Sequence, residues 1–399
     1  MATRGVRMAS TAPRLLRRAT ASPCVSRHAG SSLTSRTSRA SSSTSAGVAA
    51  HVRDDERTNT PWPPRVLSGI QPTGVPHLGN YCGAISKWVE LQSDMTAGER
   101  SQRLYSVVDL HAITVPFNPQ SMPGQIRSMV AALLGAGLDP QQNVLFKQSD
   151  VSFHTELAWY LGCITPIGWL NRMTQYKQKA QGEKMESGLG LLAYPVLMAA
   201  DILVYKATHV PVGEDQQQHL ELARQIAATF NDRFGSEIFP KPFPVESGGK
   251  QDALYRIMSL REPTKKMSKS DPSPLTRIEL TDSADAIRKK IMKAQTDAID
   301  GISFDKQQRP GVANLLSIFS AVTDQTVDEL TREYATAQTG NFKKSVADAV
   351  IAKICPIGER IQRFEANPTY IDEVLADGAE QASEIAAATM KEVKTAMGL

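Results

Sequence analysis

Acid is missing from the start of this 399-residue chain: its first 53 residues hold nine arginines, no lysine and no Asp or Glu. Beyond them 36 basic and 41 acidic side chains give a net of −5, so the formal +4 of the whole belongs to the leader. Cysteine is nearly as scarce. Cys24, Cys82, Cys163 and Cys355 are scattered with no Cys-x-x-Cys pair, which excludes a zinc knuckle and a disulfide framework and leaves no metal site in view. Long apolar runs are lacking too. The uncharged stretches Leu157–Asn171 and Ser187–Ala200 fall short of the ~18–20 apolar residues of a membrane span, and each contains a proline. What is present, a body of 346 residues in a chain that is 41% apolar throughout its 399, suffices for a sizeable core and two domains of a soluble protein.

The leader is rich in Arg, Ser and Thr and has no sustained apolar segment, the composition of an organellar transit peptide rather than a secretory signal. Arginine recurring from Arg4 through Arg14, Arg17 and Arg18 favours the mitochondrial matrix, and the Ser-rich second half leaves plastid or dual targeting open. The competing reading is a basic arm that binds RNA.

Beyond residue 60, strands alternate with helices. Val66–Ile70 reads as a buried strand broken at Gln71-Pro72-Thr73-Gly74 before a helix over about Gly79–Leu91. Strand Leu104–Val108 precedes helix Gln125–Gly137, in which Ile126, Met129, Val130, Leu133 and Leu134 form one apolar stripe. Strand Asn143–Lys147 runs into helix Thr155–Cys163. A helix over Gln217–Asn231 follows, and Pro240, Pro242 and Pro244 then interrupt regular structure. This order predicts an α/β doubly wound, Rossmann-like parallel sheet. From Asp282, the expected cap of a helix over Ser283–Ala294, the strand signal vanishes. Helical patterns over Val312–Val322, Lys343–Cys355 and Ile385–Met397 predict a C-terminal helical domain.

Two motifs carry chemistry. Pro76-His77-Leu78-Gly79-Asn80 stands where a strand turn enters a helix: glycine admits a nucleotide to the backbone, the helix start offers N–H groups to phosphate, and His77 and Asn80 can donate as well. Lys265-Lys266-Met267-Ser268-Lys269-Ser270 is bracketed by Pro263, Pro272 and Pro274, which deny it a helix and leave a loop whose lysines can offset charge on a triphosphate. Each motif alone has a plain structural reading. Their pairing about 190 residues apart across one doubly wound domain does not.

With these motifs the chain resembles the class I aminoacyl-tRNA synthetases, and among them the bacterial-type tryptophanyl-tRNA synthetases, from Val66 to Leu399. The resemblance also rests on Ser68-Gly69-Ile70-Gln71-Pro72-Thr73-Gly74, on Val108–Val115 and Arg172–Lys177, on Leu192–Leu203, on Val210-Pro211-Val212-Gly213-Glu214-Asp215-Gln216 and on Arg256–Leu260. Where the family often has Thr or Asn, His77 restores the general His-x-Gly-x signature. Beyond the leader, which composition sets at 1–60, the resemblance implies a catalytic domain over 61–260 with a helical insertion at about 150–190, a mobile loop over 261–275 and an anticodon-recognising helical domain over 276–399. It implies activation of L-tryptophan by ATP, transfer to the 3′ end of tRNA(Trp), Mg²⁺ held through the ATP phosphates, and a homodimer.

Residue by residue, the resemblance puts Gln71, Pro72, Thr73, Gly79, Asn80, Gly213, Glu214, Asp215, Ile257, Lys266, Met267, Ser268, Lys269 and Ser270 at ATP, with His77, Asn80, Lys266, Ser268 and Lys269 in the chemistry. Tyr194, Met198 and Gln216 would surround the tryptophan ammonium, and His111, Val210 and Val212 the ring. Met198, the valines and His111 could equally be buried core residues. Asp201 interrupts an apolar run and therefore needs a partner. An indole N–H would serve, as would Lys206 or a helix end. The basic groups Arg288-Lys289-Lys290 with Lys293, Lys343-Lys344, and Arg360 with Arg363 are spaced to meet tRNA phosphates or to line solvated helix faces. The apolar stretch Trp159, Tyr160, Ile164, Ile167, Trp169 and Leu170 is a dimer surface or core.

Overall fold

A computed structural model describes residues 62–94, 102–173, 188–213, 216–245 and 256–399, with the side chains of 93–94 left aside. The leader, Thr174–Lys177 and Glu214-Asp215 lie outside the described residues. Five parallel strands, β1 (Val66–Ile70), β2 (Arg103–Val107), β3 (Val144–Lys147), β4 (His209–Val210) and β5 (Phe243–Pro244), pair in the order β3-β2-β1-β4-β5. β2 is buried along its whole length, as a strand covered on both faces must be. The strand order reverses between β1 and β4, and a doubly wound sheet opens its ligand crevice at the carboxyl ends flanking such a switch.

Helices α1 (Leu78–Asn80) and α2 (Ser86–Asp94) are joined through one π-helical turn, Tyr81–Ile85. Then come α3 (Asp109–Ala112), α4 (Met122–Ala136), α5 (Phe153–Gly162), α6 (Ile167–Leu170), α7 (Leu189–Leu203) and α8 (Gln217–Phe234). The C-terminal part holds α9 (Ala284–Met292), α10 (Pro310–Val322), α11 (Val327–Glu333), α12 (Thr339–Glu365) and α13 (Pro368–Met397).

Three expectations need correction. β5 forms inside the proline triplet because Pro244 lies on an edge strand: Phe243 and Val245 donate to Thr208 and Val210, and the missing N–H of Pro244 falls between them. The cap of α9 is Ser283, whose hydroxyl accepts from Ala286 N, while Asp282 accepts from Glu279 N and Lys290. α12 runs on through Pro356, which is solvent-exposed, so water can reach the backbone carbonyl that the proline leaves without a donor.

One core cluster joins Met129 and Leu133 of α4 to Ile257, Met267, Ile287, Val346 and Ile361, tying the lysine loop to the helices that follow it. α13 lies directly on β3. The closest approach is at Gly378, where a Cβ would stand 1.9 Å from the Leu145 carbonyl oxygen. Gly378→Ala is therefore expected to cost about 3 kcal/mol or more, read as a lower urea midpoint at unchanged m-value. An unshifted midpoint would mean that the helix can move away freely.

Candidate active site

The chain leaves β1 through Gln71-Pro72-Thr73-Gly74, turning at Gly74 with φ +86°, a region open to glycine. His77 then caps α1. Its Nδ1 accepts from Asn80 N at 3.3 Å, and Asn80 Oδ1 accepts from His77 N at 3.1 Å. Burial, and after it the charges of Lys269, Arg277 and Lys266, lower the His77 pKa to about 4, so the ring is neutral near pH 7. With Nδ1 accepting, the proton sits on Nε2, which is left to donate to an anion. Gly79 fits beneath this ring, since a Cβ there would lie 3.0 Å from His77 Cε1. The helix start offers phosphate less than expected: Leu78 N donates to the Ile278 carbonyl and Asn80 N to His77. Gly79 N–H, the Asn80 amide and His77 Nε2 remain.

Against this corner folds the lysine loop. Met258 bridges Lys266, and Met267 N donates to the Ile257 carbonyl at 3.1 Å, which makes a short hairpin of the approach. Ile257 and Met267 bury their side chains in the core, so their backbones are what a nucleotide could meet. Beyond them Ser268 and Ser270 hydroxyls meet at 2.8 Å. Lys269 Nζ donates to the carbonyls of Gly74 at 2.7 Å and Thr73 at 3.1 Å. Burial lowers its pKa to about 8, opposed by Glu279 and aided by Arg277. Lys266 is exposed.

At the ends of β2 and β3 lies a polar cluster under α7. Asp201 Oδ2 pairs with His111 Nε2 at 2.7 Å, and Oδ1 with both His154 Nδ1 and Gln148 Nε2 at 2.7 Å. Burial alone would raise the carboxyl pKa, but His111 and then His154 hold it well below the usual range, so it is ionised and can only accept. Lys206 is not its partner, because it binds Glu392 of α13 at 2.7 Å. Tyr194 and Gln216 are linked through His219, whose Nε2 meets the Tyr194 hydroxyl at 2.9 Å and whose Nδ1 meets Gln216 Oε1 at 2.8 Å. Val210 is buried, while Met198 and Val212 are partly buried against the same cluster of apolar side chains. Gly213 ends the described segment here. Gln148, His154, Tyr205 and His219 were not foreseen. Gln148 and His154 follow the carboxyl end of a parallel strand, a position that marks site residues in this architecture.

A family model described as tRNA synthetases class I (W and Y) matches residues 60–353. This chain belongs to that family. It is 48% identical over 340 residues to a tryptophan-tRNA ligase of Thermosynechococcus vestitus, covering 84% of this chain and 99% of that one. To a tryptophan-tRNA ligase of Mesorhizobium japonicum it is 46% identical over 357 residues, covering 84% and 98%. Among solved structures, the tryptophanyl-tRNA synthetase of Mycoplasma pneumoniae superposes with a TM-score of 0.75 at 34% identity, over 84% of this chain and 98% of that one. The Campylobacter jejuni enzyme complexed with ADP and tryptophan gives 0.69 at 33%, over 84% and 100%.

In this class I synthetase the basic groups of the helical part divide. Lys290 is buried on Asp282, Lys343 is buried on the Ala294 carbonyl, Arg360 Nε binds the Gly135 carbonyl and Arg288 pairs with Asp348. Lys290 and Lys343 are structural, while Arg288 and Arg360 are paired but remain exposed. Lys289, Lys293, Lys344 and Arg363 are exposed. The apolar stretch splits likewise: Ile164 and Leu170 are core, whereas Trp159 is 73% and Ile167 67% exposed.

His77 also sets a pH dependence in the synthetase. Its folded pKa of about 4 lies below the unfolded 6.5, so between these values the unfolded chain holds more protons and this contribution to stability rises with pH. His77→Asn should remove that rise, seen by comparing urea midpoints of the two proteins from pH 4 to 7. Parallel midpoint curves for the two would count against a buried neutral ring.

Proposed function

We infer that this chain is a tryptophan-tRNA ligase, joining L-tryptophan to ATP with release of pyrophosphate and then passing it to the 3′ end of tRNA(Trp). The observation that carries the choice of amino acid is the ionised, acceptor-only Asp201 in a buried polar cluster, to which an indole N–H is complementary and a phenyl ring is not. The Campylobacter jejuni relative complexed with ADP and tryptophan supports the same pairing of substrates.

The tryptophan carboxylate oxygen attacks the α-phosphorus, the bond to the bridging oxygen breaks, and the electron pair leaves with pyrophosphate; no protein nucleophile is needed. His77 Nε2, the Asn80 amide and Gly79 N–H donate to phosphate oxygens. Gln71, Pro72, Thr73 and Gly213 line the nucleotide, while Glu214 and Asp215 are assigned to the ribose and adenine from sequence. Lys266, Ser268, Lys269 and Ser270 hold the leaving pyrophosphate. Mg²⁺ would neutralise phosphate charge. Among the described residues no three His, Cys, Asp or Glu side chains gather to hold a metal ion, so phosphate oxygens and water would be its ligands.

The body divides into a catalytic part over 61–260, a lysine loop over 261–275 and a tRNA-binding helical part over 276–399. Exposed Trp159 and Ile167 suit a homodimer contact. The Arg-rich, acid-free leader is proposed to direct the enzyme to an organelle, the mitochondrion first. A chain starting at Asp54 should then charge tRNA normally but fail import, whereas loss of charging would make the leader an RNA-binding arm. For the activity itself, pyrophosphate exchange into ATP with tryptophan, tyrosine and phenylalanine is decisive. Tryptophan alone should support it; exchange with tyrosine instead, or with none of the three, would overturn the reading.

A further inference from the structure

The Asp201 carboxylate is not held symmetrically. Oδ1 receives two donors, His154 Nδ1 and Gln148 Nε2, and Oδ2 receives one, His111 Nε2. A carboxylate offers about four acceptor positions, so the one left over belongs to Oδ2. His154 is fully buried, and its other ring nitrogen meets the hydroxyl of Tyr205, also fully buried, at 2.8 Å. An ionised carboxylate cannot donate, so His154 Nδ1 must carry a proton. Phe146 packs on both rings, with centroids 5.9 Å from His154 and 5.6 Å from Tyr205. Gln148 also reaches beyond the carboxylate. Its Oε1 accepts from Leu110 N at 3.2 Å, which ties α3, and His111 upon it, to the same anchor.

We propose that His154, held by Tyr205, is a positioning residue for amino-acid selection: it pins Oδ1 of Asp201 so that the remaining acceptor position of Oδ2 is turned toward the indole N–H. This rests on the reading of Asp201 as the tryptophan selector. Neither His154 nor Tyr205 touches the substrate; each acts through the angle of the carboxylate. A ring that served packing alone would lower activity toward every amino acid alike. A positioning ring lowers the preference for a side chain that has an N–H over one of the same shape that lacks it.

The experiment compares L-tryptophan with 3-benzothienyl-L-alanine, which keeps the bicyclic shape and replaces the N–H by sulfur, in pyrophosphate exchange by the full chain. Tyr205→Phe keeps the ring against Phe146 and removes only the hydroxyl. It should narrow the ratio of the two kcat/KM values about threefold to tenfold, through a higher KM for tryptophan at nearly constant kcat. His154→Leu should narrow it about tenfold or more. His154→Asn, whose amide can still donate to Oδ1, should recover part of the loss. If Tyr205→Phe and His154→Leu lower both substrates equally and leave the ratio unchanged, the rings are structural and the proposal fails. Should His154→Leu not fold, Tyr205→Phe and His154→Asn decide by themselves. Asp201→Ala separates the two levels. If it leaves the ratio intact, the selector reading itself is wrong; if it collapses the ratio while the His154 and Tyr205 variants do not, only the positioning role is lost.

Discussion

Lys269→Ala is expected to slow formation of tryptophanyl-adenylate on the order of 10²–10³-fold, the usual consequence of removing one well-placed donor to developing negative charge. Tryptophan affinity should stay within about twofold, because the proposed function assigns Lys269 to the pyrophosphate and Asp201 to the indole. The ammonium is now spent on the neutral carbonyls of Gly74 and Thr73, in surroundings that lower its pKa to about 8. Exchanging two carbonyl dipoles for phosphate oxygens converts ordinary hydrogen bonds into charge-assisted ones, and most of all as pyrophosphate takes up charge. Quenched-flow measurement of adenylate, alongside a fluorescence titration of tryptophan, tests both halves. A loss confined to tryptophan binding would contradict the placement. The same site predicts a falling kcat/KM for ATP as pH rises through about 8, where the free enzyme loses the Lys269 proton, and the alanine variant should lack that limb.

Much of this corner was legible because its logic is local. The glycine and proline breaks after Ile70, and the prolines around Lys266–Ser270, announce loops whatever surrounds them. Strand–helix alternation announces a parallel sheet. What escaped depends on contacts between distant segments. β4 and β5 have two residues each, too few to show a period, and exist because β1 offers β4 an edge and β4 in turn offers one to β5. Lys290 and Lys343 look like solvated helix charges, and only the fold shows them spent on Asp282 and the Ala294 carbonyl. Asp201 could be recognised as needing a partner, since an acid in an apolar run always does. That the partners are His111, His154 and Gln148 rather than the nearby Lys206 follows from the packing of α5 and the β3 end against α7, and no spacing along the chain encodes it.

Asp201 also carries the second large expected effect. Asp201→Asn keeps the shape, and its oxygen can still accept from His154 and Gln148, but it presents an NH₂ where Oδ2 stood. Donor then faces donor, at His111 Nε2 and at the indole N–H. Tryptophan recognition should fall by about 1–3 kcal/mol, roughly fivefold to 150-fold in kcat/KM, while phenylalanine, which has no such donor, loses little. Asp201→Ala should cost a similar amount in recognition and more in stability, because three donors that met a charge are left buried without an acceptor. Breaking a buried charged pair from one side typically costs roughly 3–5 kcal/mol. The two variants therefore separate folding from selection: the urea midpoint should drop more for alanine than for asparagine, whereas both should narrow the preference for tryptophan over phenylalanine. Unchanged KM and kcat for tryptophan in a folded Asp201→Asn protein would remove Asp201 from the pocket's chemistry and leave its buried cluster a purely structural knot between α3, α5 and α7.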